Sequence, residues 1–150
     1  MRPRLRHSCL GHPQTRFDDE VEACFEAVMM RLGRLFTPEI RPQNLREITS
    51  IEECETAFAQ ELAVIFKHST SCDRSHTAYR TVTRFCSAEP ARTIFLISVP
   101  KFRDAAAFVE NHTGIRHESP QVLALRNGVV FAYASHGRIN AAFLGTLYTE

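Results

Sequence analysis

"LAVIFKHSTSCDRSHTAYRTV", residues 62–82, changes its hydrophobic period partway through, and that change decides the fold. Leu62 to Phe66 are uninterrupted apolar residues, the pattern of a strand buried on both faces. From Cys72 onward the apolar positions Tyr79, Val82, Phe85 and Cys86 share one helical face. The polar residues Ser69, Thr70 and Ser71 separate the two halves, so the stretch reads as strand, short loop and helix.

The same alternation repeats on either side of this stretch. "LREITS" (45–50) is a short strand, and "SIEECETAFAQE" (50–61) is a helix opened by Ser50, with Glu53 three residues on as a capping box. "TIFLISVP" (93–100) is a second buried strand, and "FRDAAAFVENHTG" (102–114) a helix ended by Gly114. In "QVLALRNGVVFAYASHG" (121–137) two strands meet at Asn127-Gly128, a tight-hairpin dipeptide, and "RINAAFLGTLYTE" (138–150) is the closing helix. Strand, helix, strand, helix, hairpin, helix predicts an α/β mixed central sheet, two parallel strands and an antiparallel pair, with helices on both faces. That is the thioredoxin layout over residues 45–150, although periodicity alone leaves several small α/β folds open and the choice among them needs the motifs.

The N-terminal third reads differently. Residues 1–16 are basic, carry Pro3, Gly11 and Pro13, and read as a flexible tail. "FDDEVEACFEAVMMRLGRLFTP" follows helical periodicity over 17–36, with acids at its start and arginines near its end, which predicts an extra amphipathic helix. "TPEIRPQN" (37–44) is a proline-containing linker, so 17–44 forms a unit between the tail and the α/β domain.

Composition narrows the function classes. At 150 residues and 44% hydrophobic content the chain buries one core without staples. A net charge of +1 gives no field that would gather nucleic acid or an anionic membrane. Five cysteines, Cys9, Cys24, Cys54, Cys72 and Cys86, form no C-x-x-C pair, which argues against a disulfide scaffold. No signal-type apolar region or membrane-length run occurs, so a cytoplasmic protein with reduced thiols is expected. Cys24, Cys54 and Cys86 fall on apolar helical faces and read as small hydrophobes.

Cys72 stands apart because it falls at a strand-to-helix junction among polar residues. Free backbone N–H groups and the positive end of a helix dipole stabilise a thiolate there, the form that attacks disulfides. Lys67, His68 and His76 are expected to add positive potential, whereas the Asp73 carboxylate raises the cost of a second negative charge. Ser75 stands where a resolving cysteine would stand; its hydroxyl cannot resolve a mixed disulfide but can hydrogen-bond the sulfur. Cys86 lies about 21 Å along the helix at 1.5 Å per residue. A single-thiol site therefore favours carrying a small thiol that an outside thiol then removes. No metal site is expected, because His68 ends a strand while Cys72 and His76 open a helix, with no fourth ligand evident.

"HESPQVLAL" (117–125) adds a second element. Pro120 directly before a strand, preceded by Ser119, is expected to be cis beside Cys72, leaving the Ser119 backbone free to pair with an extended substrate. His117 and His136 fall at the same edge, where they tune the thiol or bind a carboxylate, or else are ordinary loop residues. Arg74 offers a carboxylate contact.

"FKHSTSCDRSHTAY", "TGIRHESPQVLALRNG" and "ASHGRI" (66–79, 113–128 and 134–139) together resemble the monothiol bacilliredoxin family of the thioredoxin superfamily, over about residues 45 to 150. The resemblance implies a thioredoxin-like fold, Cys72 as the redox-active thiol, and removal of a low-molecular-weight thiol from S-thiolated client proteins. It also implies a substrate groove around Ser119 and Pro120. Asp73 departs from the family, which commonly has proline there. No tightly bound cofactor is expected; the co-substrate is a small thiol such as bacillithiol, glutathione or coenzyme A, which share the same sulfur chemistry. Asp-Arg between Cys72 and Ser75 is unlike the Gly-Phe of iron–sulfur-binding monothiol glutaredoxins. A second reading is a thioredoxin-fold adaptor without catalysis, docking through the 17–36 helix.

Overall fold

The computed structural model describes residues 41–149. The tail expected at 1–16 and the helix expected at 17–36 lie outside the described residues, as do Cys9 and Cys24. Five strands and four helices follow in order: β1 (Leu45–Glu47), α1 (Ile51–Phe58), β2 (Leu62–His68), α2 (Asp73–Ala88), β3 (Ile94–Ser98), α3 (Arg103–Thr113), β4 (Gln121–Arg126), β5 (Val129–Ser135) and α4 (Ala141–Thr146).

The sheet has the order β1-β3-β2-β4-β5. β1, β3 and β2 run parallel, and β4 and β5 are antiparallel to their neighbours. This corrects the expected pair of parallel strands to three. β1 is only three residues long, and its pairing of Leu45 with Ile94 spans a distance in sequence that no local pattern reveals. Asn44, at the end of the segment read as a linker, anchors this edge: its side-chain amide donates to the carbonyls of Cys86, Glu89 and Arg92 at 2.7–3.0 Å.

Alternation along the strands splits the core into two layers. Val64 and Phe66 of β2 pack with Ala78, Val82 and Phe85 of α2 and Leu144 of α4. Ala63 and Ile65 face the other way, toward Cys54 and Phe58 of α1 and Ala105, Ala106 and Val109 of α3. Full burial of side chains such as Phe66 and Ile65 stabilises by about 1.5–3 kcal/mol each. Cys54 and Cys86 are completely buried, one in each layer. Burial pushes both thiols up to about 11, so they remain protonated and unreactive at neutral pH.

The ends of the elements follow local chemistry. Ser50 Oγ accepts from Glu53 N at 3.3 Å, while Glu53 returns to Thr49 N rather than to Ser50. Gly114 closes α3 at φ +67°, and Asn127 and Gly128 both take positive φ, the type I′ geometry of a two-residue hairpin. The closing helix is shorter than expected. His136–Arg138 form one 3₁₀ turn, and Asn140 Oδ1 accepts from Phe143 N at 2.9 Å, so α4 starts at Ala141. Asparagine is a strong N-cap, and here it overrides the apolar spacing that carried the expected helix back to Arg138.

Candidate functional site: a thiol at a helix start between two grooves

β2 ends at His68, and the Ser69–Ser71 loop turns the chain so that Cys72 becomes the N-cap of the 16-residue helix α2. Its carbonyl accepts from Ser75 N at 2.9 Å and His76 N at 3.2 Å, while its side chain makes no capping bond. The half-buried thiol therefore sits beside the unpaired N–H groups of the first turn, at the positive end of the dipole. Asp73, exposed in that first turn, is favourably placed for the same dipole and lies adjacent to the thiol.

Ser75 has a different task from the one expected. Completely buried, its Oγ accepts from Ser69 N at 3.1 Å and lies 3.4 Å from Ser119 Oγ. It binds neighbouring backbone and Ser119 rather than the sulfur. Holding the Ser69 amide fixes the loop that presents Cys72, and the Ser119 contact brings the loop before β4 against the start of α2. The Ser119–Pro120 peptide is cis, and Pro120 O accepts from His136 N at 3.0 Å. Cys72, Ser75, Ser119 and Pro120 thus lie at one end of the sheet, where β2 finishes beside the start of β4.

The flanking residues divide between two sides of that end. Arg74 and His136 line one groove of about 410 Å³ with Thr77, Ala78, Gly137 and Ile139. Ser71 and His117 line the other, of about 420 Å³, with Ser69, Val99, Pro100, Arg103, Ala106, Ala107 and Glu110. The candidate residues therefore do not form a single cluster: the thiol lies between an α2-side groove and an α3-side groove.

The expected positive potential also needs correcting. His68 is buried, its ring tilted against Tyr79 with centroids 4.9 Å apart, and burial with the neighbouring His76 pushes its pKa down. It is neutral at pH 7 and adds no charge to the thiol. His76, exposed, bonds Thr70 O at 3.0 Å and so ties the loop from outside. Lys67 is completely buried, and alternation points it away from α2, to the side where Ala63 and Ile65 pack. Its Nζ has no hydrogen-bond partner, and desolvation lowers it to about 8 despite the charges of Glu110 and Glu118.

His117 belongs to the same surroundings. Burial and the Lys67 charge both lower its pKa, leaving a neutral ring whose buried Nδ1 is unpartnered. Gln121 sets the loop carrying it: Nε2 donates to Arg116 O at 3.0 Å and Oε1 accepts from Glu118 N at 3.4 Å. Arg103, Glu110 and Gln121 were not singled out by sequence, which offered Lys67 only as positive potential near the thiol. A lysine inside an apolar strand was the one available signal, since the chain has only two lysines. Among the described residues, no three histidine, cysteine or acidic side chains converge to hold a metal, and no helix is long and apolar enough to cross a membrane.

Known structures share this architecture. A thioredoxin-fold protein to which an oxidoreductase role is ascribed superposes with a TM-score of 0.65 at 26% identity, covering 70% of this chain and 94% of its own. Thioredoxin from Trypanosoma brucei brucei gives 0.58 at 12% identity, covering 75% of this chain and 94% of its own. Mitochondrial thioredoxin 3 from Saccharomyces cerevisiae gives 0.55 at 17%, covering 71% and 94%. The last two show the fold alone. The family model of monothiol bacilliredoxin BrxC matches residues 43–144, about two thirds of the chain, including the whole Cys72 end of the sheet. With that match joined to the fold and the lone thiol at the start of α2, the chain belongs to the monothiol bacilliredoxin family.

Proposed function

We propose that the protein is a single-thiol disulfide oxidoreductase that removes a low-molecular-weight thiol from S-thiolated proteins. The observation that carries this reading is the contrast among the described thiols: Cys72 is half-buried at the N-cap of α2, while Cys54 and Cys86 are fully enclosed. The Cys72 thiolate attacks the small-thiol sulfur of a client's mixed disulfide. A new Cys72–small-thiol disulfide forms, the old S–S bond breaks, and the client leaves as its own thiolate. A second small-thiol thiolate then attacks the carried sulfur, releasing the small-thiol disulfide and restoring the Cys72 thiolate. Two thiolates enter and two leave, and the second small thiol supplies the reducing electrons.

Ser75 fits this scheme as a fixed support, since its hydroxyl is engaged by Ser69 and Ser119. A supply of free small thiol implies a reducing compartment such as the cytoplasm. Bacillithiol, glutathione and coenzyme A are all chemically competent co-substrates. Asp73 favours the second reading, a binding protein without catalysis, because its carboxylate directly follows the thiol.

A glutathionylated model protein incubated with the full chain and glutathione separates the two. Oxidoreductase function predicts release of the model protein, lost in Cys72→Ser and kept in Cys86→Ser. No release by the unmodified chain under reducing conditions would leave the adaptor.

A further inference from the structure

The α2-side groove continues beyond Ile139. A second cavity, of about 570 Å³, follows along the same helix, with Thr81, Arg84 and Ala88 on the α2 side and Asn140 and Gly145 opposite. Arg74, Thr77 and Ala78 line the first cavity, so the α2 positions recur every three or four residues and share one helix face. On the other wall Ile139 of the first cavity is followed directly by Asn140 of the second. The two cavities thus lie end to end, and the trench they form starts beside Cys72 and reaches past Arg84. Arg84 is about 18 Å from Cys72 along the helix at 1.5 Å per residue.

Two glycines keep one wall of this trench open. A β-carbon on Gly137, in the near cavity, or on Gly145, in the far one, would meet no atom within 4 Å, and neither glycine has positive φ. Neither packing nor backbone geometry calls for them, and Gly145 stands inside α4, where glycine is unfavourable. What they share is the empty space they leave.

Charge is distributed unevenly along the trench. Its middle is uncharged: Thr77 and Thr81 donate their hydroxyls to helix carbonyls, and their oxygens remain acceptors. At the far end Glu89 is tied to Arg92 at 3.4 Å, and Arg92 rests over the rings of Tyr148 and Phe85. Arg84 is exposed and has no ion pair among the described residues. At the near end the exposed Asp73 carboxylate follows the thiol. It repels anionic groups held close to an incoming sulfur, but not charges carried beyond the screening length of about 8–10 Å.

We propose that the α2-side trench seats a small thiol carried on a long uncharged arm that ends in phosphates, the chemistry of coenzyme A, with the arm along Thr77 and Thr81 and the phosphates at Arg84. The inference rests on the single-thiol function and names its substrate class. About thirteen bonds separate the sulfur of such a thiol from its first phosphorus, roughly 15 Å at an extended reach of about 3.5 Å per three bonds. That length brings the phosphates within reach of the Arg84 side chain.

The test uses the full chain with coenzyme A disulfide and with pantethine, the disulfide of the same arm without its terminal phosphates. The Cys72 thiolate attacks one sulfur, a Cys72–small-thiol disulfide forms, and the other half leaves as its thiolate; mass spectrometry of the Cys72 peptide reads the rate. Coenzyme A disulfide should react faster than pantethine. Loss of one exposed charge-assisted contact should reduce that preference about 3- to 10-fold in Arg84→Gln. Arg80→Gln, a charge-matched change at an exposed α2 position that lines neither cavity, should leave it unaltered. Gly137→Leu, which fills the near cavity, should slow pantethine relative to iodoacetamide alkylation of Cys72. Equal rates for the two disulfides in the unmodified chain, an unaltered preference in Arg84→Gln, an equal fall in Arg80→Gln, or an unchanged pantethine-to-iodoacetamide ratio in Gly137→Leu each overturn the trench assignment. So does an adduct with glutathione disulfide alone, which leaves the single-thiol function standing. Absence of a Cys72 adduct with all three disulfides overturns both.

Discussion

Replacing Lys67 with methionine should make the protein more stable at neutral pH, and the gain should shrink as pH rises. Methionine matches the length of the lysine stem and removes the ammonium. Lys67 is fully buried, its Nζ lacks a partner, and burial lowers it from 10.5 to about 8. At about 1.4 kcal/mol per pH unit, holding the charged form in the fold costs about 3 kcal/mol below pH 8. Between pH 8 and 10.5 the unfolded chain keeps a proton that the folded chain has released, so the stability of the unmodified protein rises with pH. Lys67→Met has no such proton. Urea unfolding followed by circular dichroism should therefore show the variant ahead by about 2–3 kcal/mol at pH 7, with the gap narrowing by about 2 kcal/mol by pH 9.5. Cys54 and Cys86, raised to about 11, titrate equally in both proteins and cancel in the comparison. A variant less stable than the parent at pH 7, or a gap that stays constant with pH, would refute the unpaired ammonium.

Two more outcomes follow from the site. Ser75→Ala removes the acceptor of the Ser69 amide and should cost about 1–3 kcal/mol in urea unfolding while slowing alkylation of Cys72, because the presenting loop loses its tie; unchanged stability would mean the loop is held by its other bonds. Asp73→Asn removes a carboxylate next to the thiol, so iodoacetamide should alkylate Cys72 about 2- to 5-fold faster at pH 7, from a repulsion of about 0.5–1 kcal/mol across a solvated separation. The same change should lower helix stability by a few tenths of a kcal/mol through the dipole. An equal or slower rate would show that Asp73 does not restrain the thiol.

What the sequence revealed and what it hid divide along the line between local and long-range physics. The apolar run at 62–66, the Asn127-Gly128 turn and Gly114 at the end of α3 are local signals, and each is where its residue type places it. Cys72 at the start of α2 was legible for the same reason: a loop of three polar residues between two opposite periodicities leaves little freedom in its position. β1 was recognised as a strand, but its place in the sheet depends on β3, far along the chain. The same limit applied to Ser75. Its type and spacing indicated no resolving thiol, but its hydrogen bonds to Ser69 and Ser119 depend on where β4 begins. Lys67 is the clearest case. Its neighbours in sequence suggested support for the thiol, yet the two-residue alternation of β2 sends it to the opposite face.

On the proposed mechanism Cys72 carries the small thiol itself and never needs a second protein thiol. Mixing the full chain with a purified S-glutathionylated client, quenching with acid within seconds and weighing the Cys72 peptide tests it most directly. Glutathione on Cys72 and free client in equal amount is the expected result. A disulfide between Cys72 and the client, or Cys72 left unmodified while the client is released, would contradict it.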